Sequence, residues 1–149
     1  MSQTRSRSRS AARLAAVQAL YQHEMEGTPV PRLLKEFHDH RLGATLEDER
    51  YHDAERDFFD DIVVGADARR DEIDALIGAR LAEGWSLERL DRAMRAILRA
   101  GAYELIARPD VPVASVISEY VDVAHAFYDK RESGFVNGLL DAIAKESRR

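Results

Sequence analysis

The sequence contains no cysteine. This absence excludes a disulfide-stabilised scaffold, a zinc site built on thiolates and a catalytic cysteine. It also fits a reducing compartment, so we expect a cytoplasmic protein. Long apolar runs are absent too: the longest, such as residues 62–66, are far shorter than the ~20 residues that a membrane-spanning helix needs. We therefore expect no membrane partner.

Patterns typical of β-strands are nearly absent as well. Alternating β-branched runs do not occur, whereas Ala, Leu, Arg and Glu dominate and apolar residues recur at helical spacing. A chain of 149 residues, 45% of them hydrophobic, is long and apolar enough for one globular core. The sequence predicts an all-α fold: a single compact bundle of about seven helices, forming one domain over residues 1–149.

Capping and turn residues predict the helix boundaries. Ser10 is predicted to cap the first helix, and Ser86 the helix with the clearest apolar stripe. The first helix is predicted to bury a stripe of larger apolar residues, namely Leu14, Val17, Tyr21 and Met25. Turns are predicted at residues 27–31, 41–45, 65 or 67, 84–86, 109–112 and 128–134.

Two further side chains have predicted structural roles. Trp85, the only tryptophan, is predicted to be a buried plug at a helix junction, because indole buries a large area. Arg99 lies beside a core stripe, where an arginine is rarely left unpaired. We expect it to pair with a helix terminus or with a carboxylate such as Glu104 or Glu119.

Acidic residues are missing before Glu24, although the whole chain is acidic, with 27 Asp and Glu against 22 Lys and Arg. The acid-free segment carries Arg5, Arg7, Arg9 and Arg13; without them, 18 basic residues stand against the 27 acidic ones. Because an acidic body repels polyanions, nucleic acid is expected to bind at one place. Residues 1–9 are predicted to form a flexible basic arm, with a solubilising tail or a targeting segment as alternatives.

Signals for catalysis are missing too. No serine lies in a nucleophile-elbow context, and no glycine-rich phosphate loop is present. Glu49/His52 and Asp122/His125 have the spacing of carboxylate–histidine metal ligands. Asp122, however, points away from the apolar stripe of its helix, whereas a metal in the bundle core needs inward ligands. We predict a protein that is not an enzyme and has no metal site and no cofactor.

Several short motifs follow one another along the chain, at residues 9–21, 85–90, 97–105, 110–112, 117–124 and 135–141. In order and spacing they resemble the NusB family of bacterial transcription antitermination factors, most strongly at both ends. Two positions depart from the family pattern. Ser118 stands where asparagine is usual, and Gly134 where lysine is common, although Lys130 and Arg131 nearby can replace that charge. Residues 31–50 carry no motif of the family.

The resemblance implies an all-helical RNA-binding protein. It would bind boxA-type single-stranded RNA of nascent ribosomal transcripts together with the small-subunit ribosomal protein NusE, and act on elongating RNA polymerase to suppress termination. The residues expected to contact RNA are Arg5, Arg7, Arg9, Arg13, Gln18, Tyr21, Lys130, Arg131, Phe135 and Asn137.

These residues fall into two groups. In the first helix, Arg9 and Arg13 match the basic helix of the family and are expected to hold phosphates or bases, with Arg5 and Arg7 as a mobile electrostatic supplement. Gln18 is expected to read a base by hydrogen bonding.

Tyr21 is expected either to stack on a base or to lie in the core. A second RNA patch is expected if the last helix packs near the first; its residues are Lys130, Arg131, Phe135 and Asn137. Burial of Phe135 in the core, and a helix-capping or bridging role for Asn137, are the alternatives.

Two other functions fit parts of the pattern. A NusB-like domain also occurs in ribosomal RNA cytosine methyltransferases, but this chain ends soon after the motifs and has no cysteine nucleophile. A helical protein-interaction module without direct RNA contact stays open as the alternative. The sequence predicts no specific residues for binding a protein partner.

Overall fold

The computed structural model describes the backbone of residues 2–40 and 49–148 and the side chains of residues 7–39 and 55–148. These ranges contain seven α-helices, one 3₁₀ turn and no strand, which confirms the all-α prediction. The helices are α1 (Ser2–Glu26), α2 (Val30–His40), α3 (Glu49–Ala68), α4 (Arg70–Gly78), α5 (Arg92–Ala107), α6 (Val113–Phe127) and α7 (Lys130–Ser147), with the turn η1 (Leu87–Arg89) before α5. No helix in this part of the chain is long and apolar enough to cross a membrane. The connection predicted at residues 41–45 lies outside the described residues.

Helix α5 is the centre of the bundle. All its residues from Ala96 to Leu105 are buried, as expected of a helix that is covered on every side. It packs against α1, α3, α4, α6 and α7. The functional surfaces are therefore carried by the helices around α5.

Helix α1 begins at Ser2, eight residues before the predicted cap at Ser10. No proline or glycine interrupts residues 2–9, and arginine is a good helix former, so nothing there ends the helix. Ser8 is buried, which shows that α1 is already packed two residues before Ser10. The Ser10 hydroxyl donates to Glu119 Oε1 at 2.6 Å instead of capping the helix. The flexibility of residues 1–9 stays a prediction.

The side of α1 that faces the core is the alanine side, not the stripe of larger residues. Ala12, Ala16 and Ala19 are fully buried, whereas Leu14 and Met25 are exposed. Small side chains let two helices approach closely, and α1 has its most extensive packing against α3. The burial predicted for the stripe is thus wrong for most of its members, Val17 being the exception.

Asp91 caps helix α5, where Ser86 was predicted to do so. Asp91 Oδ1 accepts a hydrogen bond from the backbone N–H of Met94 at 3.0 Å, which satisfies one free donor of the first turn. Ser86 makes no such bond and precedes η1. Serine and aspartate both suit an N-cap position. Because η1 lies between Ser86 and α5, the residue that precedes α5 is Asp91.

Trp85 is 57% exposed, so the prediction of a buried plug is wrong. Gly84, with a φ of +86°, turns the chain immediately before it. This left-handed conformation is open to glycine at little cost. The turn carries the indole away from the junction between α4 and α5.

Helix α3 runs through Gly65 to Ala68 without the predicted break. A Cβ atom at Gly65 would lie 2.2 Å from Tyr103 Cζ, and one at Gly101 would lie 2.9 Å from Leu140 Cδ1. These two glycines therefore serve close helix packing rather than chain reversal. By contrast, a Cβ at Gly134 or Gly138 in α7 would meet nothing within 4 Å.

We expect Gly65→Ala to destabilise the protein by roughly 1–3 kcal/mol, the usual cost of overpacking a core. The Tyr103 ring cannot move aside freely, because its hydroxyl donates to Asp61 Oδ1 at 2.6 Å. Gly134→Ala is the matched control: it adds the same methyl group in open space and should stabilise α7 by up to ~1 kcal/mol. Urea unfolding followed by circular dichroism measures both, and equal effects would contradict this account.

Candidate nucleic-acid interface

Arg13, expected to contact RNA, lies inside the protein. Its Nε and Nη2 donate to the two carboxylate oxygens of Glu104 at 2.8 and 3.0 Å, and its Nη1 donates to Glu119 Oε1 at 3.0 Å. Only 3% of Arg13 and none of Glu104 is exposed. The Tyr120 hydroxyl also donates to Glu104. These contacts tie α1 to α5 and α6, so the structure supports a positioning role for Arg13 in place of a direct RNA contact.

The charges in this network stabilise one another. Burial alone would lower the pKa of Arg13, but its hydrogen bonds to Glu104 and the charge of that carboxylate outweigh burial and raise the pKa. Burial, together with the charge of Glu104, raises the pKa of Tyr120 well above its ordinary value. Arg13 therefore stays charged and Tyr120 stays a hydrogen-bond donor throughout the physiological pH range.

Arg9 occupies the same side of α1 but is nearer to solvent. The guanidinium carbons of Arg9, Arg13 and Arg108 lie 4.8, 5.0 and 4.8 Å from the centroid of the Phe58 ring. Arg9 also faces Asp110 Oδ2 at 3.9 Å, while Arg108 binds the same carboxylate at 3.1 Å. Hydrogen bonding to Arg108 lowers the pKa of Asp110, and the charge of Arg9 adds to this effect. Arg9 is thus held on the protein and only partly available to a ligand.

The solvent-facing side of α1 carries the other predicted residues of that helix. Arg7, Gln18 and Tyr21 recur at helical spacing on one side, together with the exposed apolar residues Leu14 and Met25. Gln18 is half-buried and the other four are exposed. With 39% of its surface exposed, Tyr21 is not a core residue. We name these five residues the α1 stripe; the side chain of Arg5 lies outside the described residues.

Tyr21 lines a groove of about 620 Å³ at the end of the α1 stripe, with walls that include Phe127, Tyr128 and Arg92. Phe127 continues the apolar spacing of Tyr120 and Ala124 along α6, yet it is 46% exposed. The sequence could not show this, because Phe127 is the last residue of α6, where helical periodicity no longer determines the burial of a side chain. The groove therefore combines apolar and aromatic surface with charged residues of both signs.

The four residues of the second predicted patch lie in the first two turns of α7. The connection between α6 and α7 is only Tyr128 and Asp129, shorter than the predicted break at residues 128–134. All four side chains are exposed, so Phe135 is not a core residue. Asn137 makes no hydrogen bond that would cap or bridge helices in the described part of the chain.

These four residues point in two directions. Arg131 and Phe135 line one groove, between α7 and the segment around Trp85. Lys130 and Asn137 line another, between α7 and α6. The spacing along α7 explains the division, since residues seven apart face the same way and neighbours do not.

The two predicted RNA groups do not lie on a directly packed helix pair. Helix α1 packs mainly on α3 and α5, and α7 mainly on α6 and α5. Helices α1 and α7 are instead neighbours of the same two helices, α5 and α6. Any RNA that touches both groups must cross the surface between them.

Arg99 pairs with other residues than predicted. Its Nε and Nη2 donate to the carboxylate of Asp74 at 2.8 and 3.0 Å, and Glu24 lies 3.7 Å from its Nη1. Glu104 and Glu119 are taken by Arg13 instead. Such long-range pairing depends on helix packing, so the sequence alone could not assign it.

Within the described side chains, no three His, Asp or Glu residues are grouped as metal ligands would be. His38 Nε2 pairs with Asp60 at 2.6 Å, and His125 Nδ1 lies 3.1 Å from the Ser133 hydroxyl. The side chains of Glu49 and His52 lie outside the described residues. The candidate interface residues are instead cations, amides, aromatic rings and apolar side chains.

The chain is similar to one family along almost its whole length. The NusB family model matches residues 10–145. A transcription antitermination protein NusB of Sphingopyxis alaskensis is 71% identical over 145 residues, covering 97% of either chain. A solved structure of T. maritima NusB is 33% identical, with a TM-score of 0.80 over 95% of this chain and 93% of that one. A chain in the structure of the antitermination factors NusB and NusE in complex with dsRNA is 28% identical, with a TM-score of 0.74 over 94% of this chain and 98% of that one.

We expect Arg13→Ala to lower the free energy of unfolding by about 3–5 kcal/mol, because it leaves the buried Glu104 carboxylate without its partner charge. Lys145→Ala is the control: it breaks the exposed Lys145–Asp141 pair and should cost less than ~1 kcal/mol. Chemical unfolding curves of both variants test this. A loss for Arg13→Ala no larger than that of the control would show that the buried pair is not structural.

Proposed function

The chain belongs to the NusB family of transcription antitermination proteins, and we propose that it binds boxA-type single-stranded RNA together with the ribosomal protein NusE and acts on elongating RNA polymerase. One observation carries the RNA part of the proposal. Arg7, Lys130 and Arg131 are exposed and form no ion pair with a described carboxylate. Many other cations of this acidic chain are held by carboxylates, for example Arg13, Arg32, Lys35, Arg69, Arg80, Arg95, Arg99, Arg108 and Lys145.

Unpaired cations beside exposed aromatic rings suit single-stranded RNA. The cations neutralise phosphates, and the rings stack on bases that are not paired in a duplex. Lys130 and Arg131 would hold phosphates, with Phe135 as a stacking surface and Asn137 as a hydrogen-bonding group. On α1, Arg7 and Arg5 would extend the electrostatic path, while Gln18 and Tyr21 contact bases.

The two arginines that match the family's basic helix have different roles in this proposal. Arg13 fixes the position of α1 through Glu104 and Glu119. Arg9 is partly exposed and supplies charge from the edge of the Phe58 cluster, where Asp110 restrains it. The proposal thus places Arg7 ahead of Arg9 and Arg13, whereas the sequence alone suggests the opposite order.

The apolar part of the α1 stripe is proposed to contact the protein partner. Leu14 and Met25 expose apolar side chains on either side of Tyr21, and Phe127 does so across the groove that Tyr21 lines. Clustered exposed apolar residues commonly mark protein interfaces. A related chain in the structure of NusB and NusE in complex with dsRNA supports the proposal of a protein partner.

A helical protein-interaction module without RNA contact is the alternative. It would use the same apolar groove and would leave the unpaired cations without a function. Salt dependence separates the two functions, because contacts to phosphates release counterions whereas apolar contacts do not.

For the RNA contact, we expect the logarithm of the binding constant to fall with the logarithm of the salt concentration with a slope of about −3.5, or −0.7 for each of the five cations proposed to contact RNA. The double variant Lys130→Ala/Arg131→Ala should reduce the slope to about −2. Fluorescence anisotropy of a labelled boxA-type RNA, with and without NusE, gives these slopes.

The matched control is Arg32→Ala/Lys35→Ala, which removes the same charge from exposed residues of α2 that are already paired with Glu36 and Asp39. It should leave the slope near that of the unaltered protein, about −3.5. A slope close to zero for the unaltered protein would favour the interaction module, and equal slopes for the two double variants would remove α7 from the RNA site.

For the partner contact, we expect Phe127→Ala to weaken NusE binding roughly ten-fold or more, as truncation of a central interface aromatic does. RNA binding without NusE should not change. Val64→Ala, at an equally exposed apolar residue of α3, is the control and should leave NusE binding intact. Isothermal titration calorimetry with NusE measures both; an undiminished affinity of Phe127→Ala would place the partner elsewhere.

A further inference from the structure

We propose that the groove between Trp85 and the first turns of α7 binds one unpaired RNA base against the Trp85 indole, with the flanking phosphates held by Arg89 and Arg131. This inference rests on the proposed function and extends the RNA site to a residue outside the predicted set. The groove has a volume of about 450 Å³, and its lining includes Trp85, Arg89, Arg131 and Phe135. Its floor is formed by apolar side chains of Leu81, Leu90 and Met94.

The indole is presented by an ordered turn rather than by a loose loop. The Trp85 backbone N–H donates to Ala82 O at 3.0 Å, and Arg89 Nη1 donates to Gly84 O at 2.8 Å. A tryptophan that exposes more than half of its surface forgoes the burial that usually stabilises this residue. Because this turn is already ordered, a base can stack on Trp85 without the entropy cost of ordering a loop.

Two aromatic rings face the same groove from different elements. Trp85 follows α4, whereas Phe135 lies in the second turn of α7 and is 37% exposed. Every base has a π-face, so paired aromatic walls accept a base whatever its sequence. The groove is thus suited to a flat ligand that enters from solvent.

The charges of the groove favour a nucleotide over an apolar peptide. Neither Arg89 nor Arg131 forms an ion pair among the described residues. Two acidic residues, Asp91 and Glu132, also line the groove, and Asp91 accepts hydrogen bonds from the Met94 N–H and the Tyr128 hydroxyl. The positive charge available to phosphates therefore comes from Arg89 and Arg131. The lining thus provides two aromatic surfaces for stacking and two cations for the phosphates of one nucleotide.

The test uses the natural fluorescence of Trp85, which is the only tryptophan of the chain. An unlabelled boxA-type RNA of roughly 12 nucleotides, a length within the usual range of single-strand sites, is titrated into the full-length protein with and without NusE. Stacking should quench the Trp85 emission in parallel with the anisotropy signal of a labelled RNA. Trp85→Phe, which contains no tryptophan, provides the emission blank.

Affinities of variants give the second measurement. Trp85→Ala should bind RNA roughly ten-fold more weakly, whereas Trp85→Phe should keep most of the affinity because it retains an aromatic face. Val64→Ala, at another exposed apolar position, should bind like the unaltered protein. Thermal melts of all variants show whether folding is retained, as expected for exposed residues.

The outcomes separate this inference from the function on which it rests. RNA binding without quenching, and with equal affinities of Trp85→Ala and the unaltered protein, would overturn the groove assignment and leave the RNA function intact. A change in Trp85 emission on adding NusE alone, with none on adding RNA, would assign the groove to a protein and also overturn it. No anisotropy change with any RNA would overturn both proposals.

Discussion

The buried pair between Arg13 and Glu104 is the constraint on which the rest of the surface depends. Glu104 lies on the central helix and is completely enclosed, so its charge requires a partner. Arg13 supplies that charge with two hydrogen bonds and reaches Glu119 with a third. Because α1 is a single helix, fixing Arg13 fixes the rotation of the whole helix about its axis.

That rotation determines which residues of α1 meet solvent. With Arg13 turned inward, the alanine side packs on α3, and Arg9 is drawn to the Phe58 cluster. The opposite side then exposes Arg7, Gln18 and Tyr21 along one line. A buried electrostatic contact thus sets the composition of a surface that is proposed to bind RNA and a protein partner.

Ion pairs also determine which cations on the rest of the molecule are available to a ligand. Carboxylates hold many of the cations, as Asp74 holds Arg99 and Asp61 holds Arg108. The start of α7 is different, since Lys130 and Arg131 have no such partner among the described residues. In an acidic protein, a place where cations stay unpaired is where a polyanion meets the least repulsion.

The sequence by itself determined the helical class, most of the turns and the family, because these follow from local spacing, turn residues and motif order. It also indicated which side chains are of a type that contacts RNA, with Arg5 the first and Asn137 the last of the ten predicted residues. Only the tertiary structure decided which of them face solvent. Arg9 and Arg13 have the same spacing as an exposed basic pair, yet long-range partners draw them inward, and Trp85 and Phe127 look like core residues yet lie outside. Local periodicity describes the faces of a helix, but the choice of the face that is buried is made by residues distant in sequence, here above all by Glu104.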